Sequence, residues 1–150
     1  MALMRLYLDA CCYNRPFDDP AIDRNHLEAE AVVAILSHVQ QGHWLLIGSS
    51  AVEQELGAGR DTERREAVLG MSAARTESID VGQTEYDRSM ALVQFGFGRL
   101  DALHVACAEA AKCDALLTTD DRFLHRAARY ADRLGVDVRN PVDWLLEQEP

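Results

Sequence analysis

Short apolar runs alternate with longer segments of helical period, and this alternation constrains the fold of the chain more than any other feature. Leu6-Tyr7-Leu8 reads as a first strand ending at Asp9. The segment from Ala10 to Asp19, which contains Asn14-Arg15-Pro16-Phe17, reads as an irregular loop. Asp19 as cap with Pro20 in the first turn predicts a long helix running to about Gln41. Leu27, Ala31, Ile35, Leu36 and Val39 are expected on its inner face, with Gly42 as its stop. Trp44 to Ile47 is a continuous apolar run, as expected of a strand covered on both faces. Ser49 or Ser50 can cap the next helix, which carries Val52, Glu53, Glu55 and Leu56 before Gly57-Ala58-Gly59 interrupts it.

The same alternation continues to the end of the chain. A polar helix from about Thr62 to Ala74 precedes a weak third strand, Ser78 to Val81, and a helix from about Thr84 to Phe95. Gly96 and Gly98 then break the chain ahead of an Ala-rich helix, Arg99 to Lys112. Ala115 to Thr118 reads as a fourth strand, Asp121 to Leu134 as a helix, Val136 to Val138 as a fifth strand, and Pro141 opens a last helical turn. Strands separated by helices imply crossovers, hence a mostly parallel sheet in a three-layer α/β/α sandwich. A length of 150 residues fits one domain spanning 1–150, and no repeat or linker divides it.

No apolar run reaches the roughly 18 residues of a membrane span. Met1-Ala2-Leu3-Met4-Arg5 leads straight into the first strand rather than forming a secretory segment, so the expectation is a cytoplasmic protein without membrane contact. Cys11 and Cys12 are adjacent, and Cys107 and Cys113 flank helical sequence without zinc-binding spacing. Four reduced thiols are therefore expected.

Ligands on parallel sheets sit beyond the carboxyl ends of the strands, and the residues expected there are acidic. Asp9 follows the first strand, Glu55 lies beyond the second, Asp101 opens the Ala-rich helix, and Asp120 follows the fourth strand after Thr118 and Thr119. Each has an ordinary alternative alone: a helix cap, a first-turn acid, or a solvated or turn residue. Their joint placement at strand ends is the signal. Converging carboxylates cannot all stay ionised without a counter-charge. All-oxygen ligation points to Mg2+ or Mn2+ rather than zinc, and two such ions can clamp the attacking and leaving oxygens of a phosphodiester. The net charge of −10 argues against binding nucleic acid through a broad basic surface, but not against local phosphate binding through metal ions.

Four segments carry a family resemblance. Leu6-Tyr7-Leu8-Asp9, Ser49 to Leu56, Leu100-Asp101-Ala102-Leu103-His104-Val105-Ala106 and Leu117 to Phe123 resemble, in order, the acidic motifs of PIN-domain nucleases. The loop Asn14 to Asp19 is similar to that of a bacterial and archaeal subgroup. The resemblance implies a metal-dependent endoribonuclease like the VapC toxins of type II toxin–antitoxin modules, with RNA as substrate, an antitoxin as partner and a homodimeric state. It implies Asp9, Glu55, Asp101 and Asp120 as catalytic, Mg2+- or Mn2+-holding acids. Glu55 aligns rather than Glu53, because the family's acid directly precedes an aliphatic residue, here Leu56. Thr118 matches a supporting hydroxyl, and Asp121 is a candidate auxiliary acid. The alternative is a PIN-fold protein with weak or no catalysis that acts as a binding module.

All fifteen basic residues except Lys112 are arginine. Arg122, Arg126, Arg129 and Arg133 recur at helical spacing and form a stripe, a candidate phosphate track or partner dock beside a plain solvated face as the alternative. Phe123, Ala127, Tyr130, Ala131 and Leu134 are expected on the buried side of the same helix, and Arg15 is a further candidate phosphate contact. His104 reads as a hydrogen-bonded packing residue rather than a base or ligand, and Trp44 and Trp144 read as packing. Other nucleotide and phosphate chemistries fit poorly. A phospho-receiver needs a lysine after the last strand, a haloacid dehalogenase-type phosphatase needs a second acid two residues after Asp9, and dinucleotide binding needs a Gly-x-Gly-x-x-Gly turn.

Overall fold

The computed structural model describes residues 2–148; Met1 and residues 149–150, the outer ends of the expected domain, lie outside the described residues. Five short strands form one sheet: β1 (Arg5–Leu8), β2 (Leu45–Ser49), β3 (Glu77–Ile79), β4 (Ala115–Leu117) and β5 (Asp137–Arg139). All pair in parallel in the order β3-β2-β1-β4-β5. β1 lies at the centre, with Tyr7 in register with Ile47 on one side and Leu116 on the other. Parallel pairing requires crossovers, and α1 (Ala10–Asn14), α2 (Asp23–Gln40), α3 (Ser50–Gly57), α4 (Thr62–Ser72), α5 (Gln83–Val93), α6 (Arg99–Ala110), α7 (Asp121–Arg129) and α8 (Pro141–Gln148) supply them or flank them. The result is the expected three-layer α/β/α arrangement, with α2 packed on α8 and α5 on α6.

β1, β2 and β4 bury both faces, so Leu6, Leu8, Leu46, Ile47, Leu116 and Leu117 form the middle of the core. Trp44 meets Trp144 edge-on at 4.8 Å between ring centres, as packing residues. All four cysteines are free. Among the described residues, no helix is long and apolar enough to cross a membrane.

Several local expectations are corrected. The segment after Asp9 is not an irregular loop: the Cys12 N–H donates to the Asp9 carbonyl at 2.9 Å, α1 forms, and a 3-10 turn over Arg15–Phe17 follows. α2 begins at Asp23 rather than after Pro20, because the Asp19 carboxylate accepts from the Ala21 N–H at 3.0 Å and caps a turn ahead of the helix. Leu27 is 55% exposed, and Glu28 instead joins Ala31, Val32, Ile35 and Leu36 on the inner face. α7 ends at Arg129, and a separate 3-10 turn, Ala131–Arg133, follows, so Ala131 is exposed and Arg133 leaves the stripe. Ser49, not Ser50, caps α3 by accepting from the Val52 N–H at 3.0 Å, while Ser50 accepts from the Val81 N–H.

Candidate active site

The strand order reverses direction between β1 and β4: the chain builds outward through β2 and β3, then returns to place β4 and β5 on the other side of β1. The crevice beyond the carboxyl ends of two such strands is where open α/β sheets bind ligands. Asp9 and Thr118 are the first residues past those two strands. The Asp9 N–H donates to the Leu117 carbonyl at 2.9 Å, which ties the two strand ends together at this point.

Asp9 is 5% exposed. Thr118 Oγ1 donates to Asp9 Oδ2 at 2.8 Å, and accepts from the backbone N–H of Asp120 at 3.2 Å. The hydroxyl therefore links the Asp9 carboxylate to the backbone of Asp120. The Cys11 thiol also donates to Asp9 Oδ2, at 3.4 Å. Burial raises the Asp9 pKa, against the opposing pull of His104 and of the Thr118 hydrogen bond.

Glu55 arrives from α3 and His104 from α6, and both meet Asp9. His104 Nε2 donates to Glu55 Oε1 at 2.9 Å and lies 3.5 Å from Asp9 Oδ1. One ligand atom from each of Asp9, Glu55 and His104 falls within 4.8 Å of the other two. On the far side of its fully buried ring, His104 Nδ1 is 2.7 Å from the Tyr7 hydroxyl, and that hydroxyl is 2.7 Å from Ser49 Oγ. Burial holds Tyr7 well above its ordinary pKa, so it remains a neutral hydroxyl. Burial opposes the charge of His104, but Glu55 and Asp9 outweigh it and its pKa is raised. The packing role expected of His104 is present, and with it a direct contact to two acids that the sequence reading missed.

Asp101, in the first turn of α6, has its carboxyl pushed up to about 7, first by burial and then by the charges of Asp9 and Asp120. Glu55 adds to that repulsion and His104 opposes it. Asp120 is also the cap of α7: its Oδ1 accepts from the Arg122 and Phe123 N–H groups at 2.9 and 3.2 Å. The same side chain caps α7 and adds its charge to those that raise the Asp101 carboxyl. Among the described residues, the ligand atoms close enough to share one cation are those of Asp9, Glu55 and His104, while Asp101 and Asp120 lie outside that group and near enough to it for Asp9, Asp120 and Glu55 to raise the Asp101 carboxyl. Glu53 points elsewhere, into an ion pair with Arg75.

From Asp101 and Asp120 a groove of about 870 Å³ runs along α7, lined by Gly96, Phe97, Arg122, His125, Arg126 and Arg129. Gly96 has φ +95°, and a Cβ there would lie 3.0 Å from the Arg126 guanidinium carbon. The positive φ favours glycine, and the absence of a side chain leaves room for that guanidinium. Arg133 is outside this lining and lies over the Phe95 ring at 5.1 Å.

Two expected site residues are committed elsewhere. Both carboxylate oxygens of Asp121 are taken by Arg24, at 2.7 and 2.8 Å, so the auxiliary-acid expectation is not met in this arrangement. Arg15 donates to Asp18 and Asn25, and its Nε lies 3.0 Å from Glu28 Oε1, so it is not free to meet phosphate. The Arg15–Asp18 pair is three residues apart and so had a local signal, whereas the Asp121–Arg24 pair joins residues far apart in sequence and had none.

The model of one family, the PIN domain, matches residues 6–130. No curated protein matches the chain at a significant level. Among solved structures, VapBC2 from Rickettsia felis, bound to a DNA fragment from its promoter, aligns with a TM-score of 0.54 over 91% of this chain and 98% of that one. The aligned residues are 17% identical, so this likeness is one of fold.

Proposed function

The chain belongs to the PIN-domain family, and on that premise we propose that it is a metal-dependent endoribonuclease, the toxin component of a type II toxin–antitoxin module. The observation that carries this reading is the gathering of acids at the sheet's switch point, where burial, and then repulsion from Asp9 and Asp120, pushes the Asp101 carboxyl up to about 7. Such repulsion costs stability in a metal-free protein and is relieved by a cation. In this reading Asp9, Glu55, Asp101 and Asp120 hold Mg2+ or Mn2+, with Thr118 orienting Asp9. When bound, such ions would supply positive charge for the scissile phosphate and a means of activating water. One acid assists proton transfer, and Arg122, Arg126 and Arg129 hold phosphates on the flanking strand. Asp121 and Arg15 have structural duties instead.

The VapBC2 neighbour is a toxin–antitoxin pair by its name, and its fold-level likeness supports an antitoxin partner for this chain. A homodimer, a single domain and a cytoplasmic location belong to the same reading.

The test is cleavage of end-labelled RNA by purified protein in Mn2+ or Mg2+, with and without EDTA. Cleavage is expected with the ions, is abolished by EDTA, and is restored by excess Mn2+. Asp9→Asn, a nearly isosteric change, is expected to abolish cleavage with far-UV circular dichroism unchanged. Wild-type cleavage by folded Asp9→Asn protein contradicts the reading. Replacing Arg126 and Arg129 by Ala is expected to weaken RNA binding and flatten its salt dependence by about 0.7 per lost phosphate contact. An unchanged slope returns those arginines to a solvated face.

A further inference from the structure

His104 is fully buried, on the face of α6 that also carries Asp101, yet its ring nitrogens reach two acids and a tyrosine. Its hydrogen bonds form a circuit that begins and ends on one helix. Ser49 caps α3 by accepting from the Val52 N–H at 3.0 Å, and its Oγ lies 2.7 Å from the Tyr7 hydroxyl on β1. That hydroxyl is 2.7 Å from His104 Nδ1 on α6, and His104 Nε2 returns to Glu55 on α3 at 2.9 Å. The Glu55 side chain is 34% exposed, while the Asp9 side chain beside it is 7% exposed. Without the ring, the long Glu55 side chain is free to swing into solvent.

We propose that His104 is a positioning residue of the cation centre, donating from Nε2 to hold Glu55 beside Asp9, with Tyr7 and Ser49 fixing the ring in that orientation. The inference rests on the reading of these acids as a metal centre. Both partners of Nε2 are carboxylates, which accept only, so Nε2 carries a hydrogen and its lone pair is not offered to a cation. In this inference the ring supports the acids through Nε2 rather than serving as a ligand, although Nε2 lies within ligand distance of both. The donor set stays all-oxygen, which favours Mg2+ or Mn2+ over softer ions despite a histidine within ligand distance.

The experiment measures Mn2+ binding by calorimetry and pulsed electron paramagnetic resonance on the wild type, His104→Leu, His104→Gln and Tyr7→Phe. Circular dichroism and melting in EDTA establish which variants fold. The wild type is expected to bind Mn2+ with no directly coordinated nitrogen in its spectrum. His104→Leu is expected to lose affinity roughly 10- to 100-fold, the usual effect of removing a group that orients a ligand. His104→Gln, whose amide can still donate to Glu55, recovers most of that loss. Tyr7→Phe keeps the buried ring and removes only the tether, so it folds and gives a smaller loss. It keeps the inference testable if the position-104 variants do not fold. A coordinated nitrogen that vanishes in His104→Gln overturns the inference by making His104 a ligand. Wild-type affinity in folded His104→Leu or in Tyr7→Phe overturns it by making the circuit mere packing. A wild type that binds no Mn2+ overturns the metal-centre reading itself.

Discussion

Asp101 is the residue at which the site's electrostatics become measurable. Its carboxyl titrates near its ordinary value of 3.8 in the unfolded chain and at about 7 in the folded one, raised first by burial and then by Asp9 and Asp120. Between those values the folded protein holds a proton that the unfolded chain has released, so metal-free stability falls as pH rises through that window. The raised carboxyl of Asp9 acts in the same direction. The raised His104 does too, since its protonated form is favoured by folding and that contribution is lost as pH rises through its folded value. Urea unfolding in EDTA is expected to show declining stability from mildly acidic to mildly alkaline pH, with a shallower decline in Asp101→Asn. An identical slope in the two proteins contradicts the coupling.

The positions of Asp9 and Asp120 just past apolar runs, and of Asp101 in a first turn, were legible, whereas Glu55, in the second turn of α3, was singled out only by the family resemblance. The contact made by His104 was not legible, although Asp101 and His104 are three apart on one helix and so share a face. The Tyr7 hydroxyl gave a second signal, since a polar group on a strand buried on both faces requires a partner.

At the scale of the element, α2 organises the ground beneath the site through Glu28, whose side chain is 3% exposed. It meets Arg24 Nε at 3.2 Å, Arg15 Nε at 3.0 Å and Asn140 Nδ2 at 2.6 Å. Arg24 in turn holds Asp121 and, at 2.8 Å, the Thr119 carbonyl. One helix thus ties together the turn after β1, the segment after β4 that ends in Asp120, and the start of α8. Glu28→Ala removes a carboxylate shared by two guanidinium groups, while Arg24 keeps Asp121 and Arg15 keeps Asp18, and is expected to cost about 1–3 kcal/mol in urea unfolding, the range for losing hydrogen bonds to a charged group. A loss below about 0.5 kcal/mol, typical of surface substitutions, contradicts a structural role for the clamp.

The same helix shows why apolar periodicity misleads. Leu27 and Glu28 both lie at helical spacing from the buried Ala31 and Ile35, and a preference for leucine over glutamate selects the exposed one. The ends of α2 and α7 were misplaced for a related reason. Asp19 caps a turn as readily as a helix, and the arginine spacing continues past Arg129 while the backbone changes to a 3-10 turn.

At the scale of the whole molecule, a chain with net charge −10 brings acids to the switch point of its sheet and arginines to the groove beside it. The alternation of apolar runs and helices made the sheet and its layers legible, since parallel pairing leaves few ways to connect such elements. Which charges pair internally was not legible, because ion pairs such as Arg24–Asp121 join residues far apart in sequence. The central claim is that Asp9, Glu55, Asp101 and Asp120 form one cation centre that trades stability for function. The most direct measurement is the melting temperature of the wild type and Asp101→Asn at alkaline pH, each in EDTA and in Mn2+. In EDTA the mutant is expected to melt higher, because one repelling charge is gone. Mn2+ is expected to stabilise the wild type by about 2.7 kcal/mol with the free ion at about 100 times its dissociation constant, and the mutant much less. A lower melting temperature for Asp101→Asn in EDTA, together with no Mn2+ shift in the wild type, contradicts the claim.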